Sequence, residues 1–233
     1  MKILVTGSKG FIGTNLVKYL RKNTNHTVFE FSRDDLLEDL ENSINYIDIV
    51  FHLAGLNKKT KNETFKNVNI KLTKKLCKIL RKNCKTKIIY ASSIQINQNN
   101  EYGKSKKECE NIILNLEKTN RNKVYILRLP GIFGMGCRPN YNSVVATFCN
   151  NVIKKKDLNI IDPFKEIDLV FIEDLCKQLA NLAIDNKVKN KYIQIKNKYK
   201  VSIKELALII KNFPKKSIPF IKGNNLESKL YKT

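Results

Sequence analysis

Residues 5–13 read Val5-Thr-Gly7-Ser-Lys-Gly10-Phe-Ile-Gly13, three glycines at even intervals of three. The apolar run Ile3-Leu4-Val5 precedes them, and Phe11, Ile12, Leu16, Val17 and Leu20 follow with the spacing of one helix face. A strand therefore runs into a glycine-rich turn and then into a helix. At such a seam each glycine has a physical task. Gly7 turns the chain sharply, Gly10 lets backbone approach a pyrophosphate, and Gly13 lets the helix lie close on the strand. The helix N-terminus then offers free N–H groups and the positive end of its dipole to an anion. A turn with no ligand is the alternative, and the position between a first strand and a first helix argues against it. Gly7, Lys9, Gly10, Phe11, Ile12 and Gly13 are the expected nucleotide contacts.

Working outward, apolar runs at 2–6, 27–31, 47–53, 87–91 and 123–129 read as strands. Helical patterns over about 11–22, 62–82 and 103–118 lie between them. This alternation predicts the α/β class, a parallel sheet doubly wound by helices on both faces. After about residue 130 the pattern loosens. A helix near 142–155, strands near 158–161 and 167–171, a helix near 172–184, a strand at 191–196 and a helix at 202–212 predict a small lobe. The expected division is a Rossmann domain over 1–165 and a small substrate lobe over 166–233, interleaved with it.

The chain has 233 residues, enough for one substantial core, and 42% of them are hydrophobic. No apolar run approaches bilayer-spanning length. The first strand begins at Lys2, so no leader is expected. Cys77, Cys84, Cys109, Cys137, Cys149 and Cys176 form no Cys-x-x-Cys pair, and His26 and His52 do not complete a zinc spacing. The expectation is reduced thiols, a cytoplasmic setting and no metal. The net charge of +23 raises nucleic-acid binding as one reading. Lysines are spread along the whole chain without an aromatic–basic stacking motif, so the favoured reading is a general compositional bias, with no nucleic-acid and no membrane partner. A positive field still suits an anionic nucleotide.

The chemistry-bearing stretch runs from Ile88-Ile-Tyr-Ala-Ser92-Ser93-Ile-Gln95 to Tyr102-Gly-Lys-Ser-Lys106. A strand ends in two serines, and a Tyr-x-x-x-Lys opens the next helix. Residues four apart share a helix face, so Tyr102 and Lys106 point the same way. A nearby ammonium is expected to lower the phenol's pKa and make it a usable acid or base near neutrality. Ser93 is the expected hydroxyl that holds the substrate oxygen, with Ser92 as the alternative. About twenty residues past the last glycine, Phe31-Ser32-Arg33-Asp34 is where a cofactor's 2′ substituent is read. Ser32 and Arg33, with Lys9, suit the 2′-phosphate of NADPH, and Asp34 keeps NADH as the less favoured option.

Together these motifs resemble the extended branch of the short-chain dehydrogenase/reductase superfamily, the nucleotide-sugar epimerases, dehydratases and reductases. Asp48-Ile-Val-Phe-His52-Leu53-Ala54-Gly55 is similar to the branch's segment beside adenine and ribose, and Asn69-x-x-x-Thr73-x-x-Leu76 to its central helix. That implies Leu53, Ala54, Gly55 and Asn69 as further cofactor contacts. Arg128-Leu-Pro-Gly-Ile-Phe133-Gly134 resembles the strand end where substrate enters. The following Cys137-Arg138-Pro-Asn140-Tyr-Asn142-Ser143 is similar to the reductase domain of the CapF-like capsule enzymes, which make UDP-2-acetamido-2,6-dideoxy-β-L-talose. The resemblance implies NADPH-dependent reduction of a 4-keto UDP-sugar. Tyr102 is then the proton donor, Lys106 the ribose contact, Ser93 the keto-oxygen contact, and Arg138, Asn140, Asn142 and Ser143 contacts to the sugar nucleotide. It also implies a homodimer, paired through the helices at 62–82 and 103–118. Members of that family carry a further cupin-like domain that epimerises C3. This chain stops at Thr233, near where that domain would begin, so it is either reductase-only or a fragment. The expectation for this chain is a substrate already in its C3 configuration, or one supplied by a separate epimerase. An NAD-dependent 4-epimerase or a dehydratase of the same branch is the runner-up. Ile94 and Gln95 follow Ser93 where a dehydratase wants an acid. A silent NADP-sensing or RNA-binding protein is the rival from another class.

Overall fold

The computed structural model describes residues 1–215 and 225–233. β1 (Lys2–Thr6), β2 (Thr27–Phe31), β3 (Ile49–His52), β4 (Lys87–Ser93) and β5 (Val124–Leu129) form one parallel sheet in the order β2-β1-β3-β4-β5. Every residue of β3 and β4 is buried. Strands covered on both faces read as unbroken apolar runs, which is why they were legible by composition rather than by alternation. The connections are α1 (Phe11–Asn23), α2 (Leu37–Ser43), α3 (Lys71–Leu80) and α4 (Glu101–Asn120), and a π-helical turn at Lys66–Ile70 leads straight into α3. One side of the sheet buries Leu76, Leu80, Cys109, Ile113 and Leu116 of α3 and α4 against Ile88, Tyr90 and Ile126. The chain leaves β1 on one side to make β2 and returns on the other to make β3. This reversal opens a crevice at the carboxyl ends of β1 and β3, the usual ligand position in open α/β sheets.

Contacts group the chain into two compact units, 1–129 with 176–195, and 130–175 with 196–233. Residues 130–165, expected with the Rossmann domain, therefore pack in the second unit. That unit holds α5 (Val144–Ile153) and a three-stranded sheet in which β6 (Gly131–Phe133) runs parallel to β7 (Glu166–Phe171). β7 is antiparallel to β8 (Lys198–Ser202). α7 (Ile203–Lys211) follows β8 through a capping box in which Ser202 and Glu205 satisfy each other's backbone N–H groups. α8 (Leu226–Tyr231) ends the chain and is pinned by the buried Lys229, which pairs with Asp174. α6 (Ile172–Ile184) starts in the second unit and ends in the first.

Two expected strands do not form as such. Residues 158–161 join no ladder, and Ile161 is 93% exposed, so local β-propensity there has no partner strand to satisfy it. The stretch 191–196 contributes a single parallel bridge, Tyr192 with Ile126, closed by Ile126 N to Lys191 O at 2.8 Å and Ile193 N to Ile126 O at 2.9 Å. Among the described residues, no helix is long and apolar enough to cross a membrane.

Candidate active site

The glycine turn is built as its spacing requires. Gly7 has φ +72°, and a Cβ there would sit 2.7 Å from the Ala54 backbone, so the loop after β1 touches the loop after β3. A Cβ on Gly13 would fall 2.1 Å from the Gly7 carbonyl, which locks α1 against the turn. Gly10 is the N-cap of α1, and no side chain caps it. No acidic residue occupies that first turn either. The N–H groups at this end are thus left for an anion, and the cradle fits the diphosphate of a dinucleotide.

At the tip of β2, Ser32 is buried and its N–H donates to Asp35 Oδ2 at 2.5 Å. That bond holds the Asp35 carboxyl below its ordinary range. Lys9 pairs with Asp34 at 2.6 Å and Arg33 with Glu63 at 2.9 Å. Both cations expected at a 2′-phosphate are therefore already partnered, by exposed ion pairs of the kind worth about 0–1 kcal/mol. Exchange for a phosphate costs little.

The loop Leu53-Ala54-Gly55 after β3 is held from behind by a buried polar chain. Burial pushes the His52 imidazole down to about 3, so it is neutral. Its Nδ1 lies 2.8 Å from Thr6 Oγ1 and its Nε2 3.0 Å from Thr73 Oγ1. Thr73 spends its hydroxyl proton on the Asn69 carbonyl at 2.8 Å, so Nε2 is the donor and Nδ1 accepts from Thr6. Asn69 is 2% exposed, and its amide is fully used. Oδ1 accepts from Leu56 N at 2.6 Å, while Nδ2 donates to Leu56 O at 3.0 Å and Ser105 Oγ at 3.1 Å. Asn69 thus fixes the loop that lines the crevice.

Ser93, Tyr102 and Lys106 converge. Ser93 caps a short 3-10 turn at Ile94–Asn97, accepting from Gln95 N at 3.2 Å. A Cβ on Gly103 would lie 2.1 Å from the Gln95 carbonyl. Only glycine lets α4 press this closely on the turn, and the contact brings Tyr102 to Ser93. The Tyr-x-x-x-Lys spacing alone did not single out Gly103. Lys106 is 5% exposed, donates to Ala91 O at 2.8 Å and lies 4.9 Å above the Tyr90 ring. Its Nζ is 5.9 Å from the Tyr102 ring centre, and a Cβ on Gly55 would stand 3.4 Å from it. Burial lowers its pKa to about 8. The expected depression of the Tyr102 pKa is not what the structure gives. Burial raises it, and the hydrogen bond with Ser93 offsets only part. Desolvation of a phenolate outweighs an ammonium that is aimed at Ala91 rather than at the phenol oxygen. The phenol is therefore protonated at neutrality, the form a proton donor needs.

Sequence reasoning missed the buried carboxylate of Glu110, which joins Ser92 and Arg128 one turn beyond Lys106. Arg128 was read only as part of a strand-end motif. No short-range spacing marks the pair, because the partners lie 18 residues apart.

In the second unit, Arg138, Asn140 and Asn142 are exposed, and Ser143 is half-buried as the N-cap of α5. Asn140 has φ +57°, and its N–H donates to Thr147 Oγ1 at 2.9 Å. Ser143 Oγ accepts from Ala146 N at 3.2 Å. Asn140 and Ser143 thus lie at the N-terminal end of α5.

Comparison with known proteins bears on the same surfaces. The chain is 39% identical over its whole length to the UDP-2-acetamido-2,6-beta-L-arabino-hexul-4-ose reductase of Pseudomonas aeruginosa, and spans 64% of that protein. It superposes on the capsular polysaccharide assembling protein CapF of Staphylococcus aureus with a TM-score of 0.86 at 33% identity, covering all of this chain and 64% of that one. The UDP-glucuronic acid 4-epimerase of Bacillus cereus, solved in complex with NAD, superposes with a TM-score of 0.81 at 25% identity over 93% of this chain and 85% of that one. Residues 3–195 match the model of the NAD dependent epimerase/dehydratase family. The parallel sheet, the glycine cradle and this match agree: the chain belongs to the NAD dependent epimerase/dehydratase family.

Proposed function

We propose that the chain reduces the C4 keto group of a UDP-4-keto-6-deoxy-(N-acetyl)hexosamine, with NADPH, as a cytoplasmic step in nucleotide-sugar and polysaccharide biosynthesis. The observation that carries the reading is the convergence of Ser93, the protonated Tyr102 and the buried Lys106 beside the Gly55 loop. The Pseudomonas aeruginosa relative, named as a 4-ulose reductase, supports the substrate class. When bound, the nicotinamide supplies the hydride. Ser93 hydrogen-bonds the keto oxygen and holds it beside the phenol. Tyr102 gives its proton to that oxygen as C4 is reduced, so the carbonyl gains one hydride and one proton and becomes an alcohol. Lys106, charged below about pH 8, binds the ribose and balances the phenolate left behind. Gly7, Gly10, Phe11, Ile12 and Gly13 would cradle the diphosphate, with Leu53, Ala54 and Gly55 facing the adenosine half and Asn69 holding that loop. Arg138, Asn140, Asn142 and Ser143 are proposed as contacts to the sugar nucleotide.

For cofactor choice the reading is Ser32, Arg33 and Lys9 on the 2′-phosphate. Removing Arg33 (R33A) is expected to weaken NADPH by about 1.5–3 kcal/mol, the worth of a charge-assisted hydrogen bond, and to leave NADH binding unchanged. Calorimetry checks this, and equal affinity of the wild type for both cofactors would overturn it. The pairing of two copies through α3 and α4 has charge against it. Their exposed positions include Lys71, Lys74, Lys75, Lys78, Lys104 and Lys107, of which Lys74 meets Glu108 at 3.6 Å. The proposed solution state is therefore a homodimer only at salt high enough to screen those lysines, which sedimentation at two ionic strengths tests. The activity itself is tested by a turnover screen of UDP- and dTDP-4-keto-6-deoxy sugars with NADPH, read by mass spectrometry. A gain of two mass units for a UDP-sugar supports the reading; no product from any 4-keto sugar sinks it.

A further inference from the structure

Glu110 lies four residues after Lys106 on α4, on the same helix face, and its side chain is 3% exposed. A buried carboxylate is strongly unfavourable unless donors and an opposite charge meet it. Here both oxygens are met. Ser92 Oγ donates to Oε1 at 2.5 Å, Arg128 Nε to the same oxygen at 3.1 Å, and Arg128 Nη2 to Oε2 at 2.8 Å. The guanidinium lies 4.5 Å over the Tyr192 ring, and Ser92 and Arg128 are register partners across β4 and β5. One carboxylate therefore fastens the helix that carries Tyr102 and Lys106 to the last turn of two strands. Ser92 is also the residue before Ser93.

The surroundings of Lys106 make the charge of this group matter. From β4 it meets the Ala91 carbonyl and the Tyr90 ring, from β3 the neutral His52, and from its own helix Tyr102, Cys109 and Glu110. Glu110 is the one carboxylate among them, with Arg128 directly behind it. We propose that Glu110 is a positioning residue for this site, tying α4 to the ends of β4 and β5 and, balanced by Arg128, setting the field that Lys106 feels. The inference rests on the reading of Lys106 as the ribose-binding ammonium, and neither the family match nor a relative's name assigns Glu110 a role.

The two partners make opposite predictions, which a purely structural role does not. Replacing Glu110 by the isosteric amide (E110Q) leaves the Arg128 cation unbalanced, so Lys106 should lose its proton more easily. Replacing Arg128 (R128Q) leaves the carboxylate unbalanced, so Lys106 should hold its proton longer. The test is NMR titration of the full chain labelled with 13C at lysine Cε, with Lys106→Met identifying the signal. The wild-type midpoint is expected at about 8. E110Q should move it down by roughly one unit and R128Q up by a similar amount, in line with shifts of about 1–3 units for charges within reach of each other. Arg128→Lys keeps the cation and should leave the midpoint in place. If E110Q does not fold, the R128Q and R128K pair still decides. An unchanged midpoint in E110Q, movement of E110Q and R128Q in the same direction, or no shift in R128Q overturns the proposal. The titration uses neither cofactor nor sugar. A chain that reduces no 4-keto sugar would end the functional reading and leave this result standing.

Discussion

Tyr102 and Lys106 hold opposite ends of one proton balance. Burial keeps the phenol protonated and makes the ammonium easier to discharge. Replacing Tyr102 by Phe (Y102F) removes one hydroxyl without emptying the space. It should leave NADPH affinity within about twofold and cut turnover by roughly 10²–10⁴, the usual worth of a positioned general acid. Stopped-flow turnover beside calorimetry checks it, and near wild-type turnover would remove Tyr102 from the role. The pH dependence follows from Lys106. Its folded pKa of about 8 lies below the ordinary lysine value of 10.5, so between those values the folded chain holds fewer protons than the unfolded one. This group's cost to folding is full below pH 8 and is relieved as pH rises, while the ammonium needed for the ribose is lost over the same range. NADPH affinity should therefore fall above pH 8, by up to about tenfold per unit, and Lys106→Met should flatten that limb. A wild-type affinity that stays level to pH 9.5 would contradict this. The shared helix face of Tyr102 and Lys106 was legible because helix periodicity is a local rule. Gly103 and Glu110 were not, because each is defined by a partner on another element, Gln95 and Arg128. Asn69, expected to touch the cofactor, spends its amide on Leu56 and Ser105 instead.

Elements were legible where burial is two-sided and misread where pairing decides. β1 to β5 are apolar runs closed by turn residues, and the sequence placed each to within a few residues. β8 reads Lys-Tyr-Lys-Val-Ser and looks like a polar loop, yet it pairs with β7, and its lysines meet Asp168 and Glu166 across the ladder. Charge pairing between strands that far apart leaves no local signal. Lys87 is the same lesson at a helix end. It sits at the start of β4, 7% exposed, and its Nζ donates to Ala183 O at 2.8 Å and reaches the Leu182 and Asp185 carbonyls at 3.5 and 3.4 Å. These carbonyls lie at and just past the C-terminal end of α6, where a cation also meets the negative end of the helix dipole. Lys87→Met keeps the aliphatic stem and removes the charge. It should cost about 1.5–3 kcal/mol of stability, read as a lower urea midpoint at unchanged slope. A change under about 0.5 kcal/mol would mean that water serves those carbonyls equally well.

For the molecule as a whole, a net charge of +23 invites nucleic acid, and the two function classes separate by how they respond to salt. Part of the charge gathers at Lys123, Lys187, Lys189 and Lys191 around a cavity of about 470 Å³ beside the first residues of β5, away from the glycine cradle at the strand ends. Lys191 is tied to Glu117, and Lys123 donates to the Asn186 carbonyl at 3.0 Å. Among the described residues lining that cavity the aromatic is Tyr125, which is 2% exposed, donates to Val188 O at 3.0 Å and offers no face for base stacking. Binding of a polyanion by such a surface is counterion release and little else. It should lose about 10³–10⁵ in affinity between 50 and 200 mM salt if six to ten phosphates are engaged. The cofactor presents few charges to a cradle of backbone N–H groups, and its affinity should change by less than about tenfold over the same range. Gel shifts with a short single-stranded RNA, run beside NADPH calorimetry at the two salt concentrations, compare the slopes directly. The expected outcome is RNA retardation that vanishes by 200 mM while NADPH binding persists. RNA held at 200 mM salt with NADPH lost would reverse the order, and would make the dinucleotide fold of this chain a scaffold for RNA rather than for reduction.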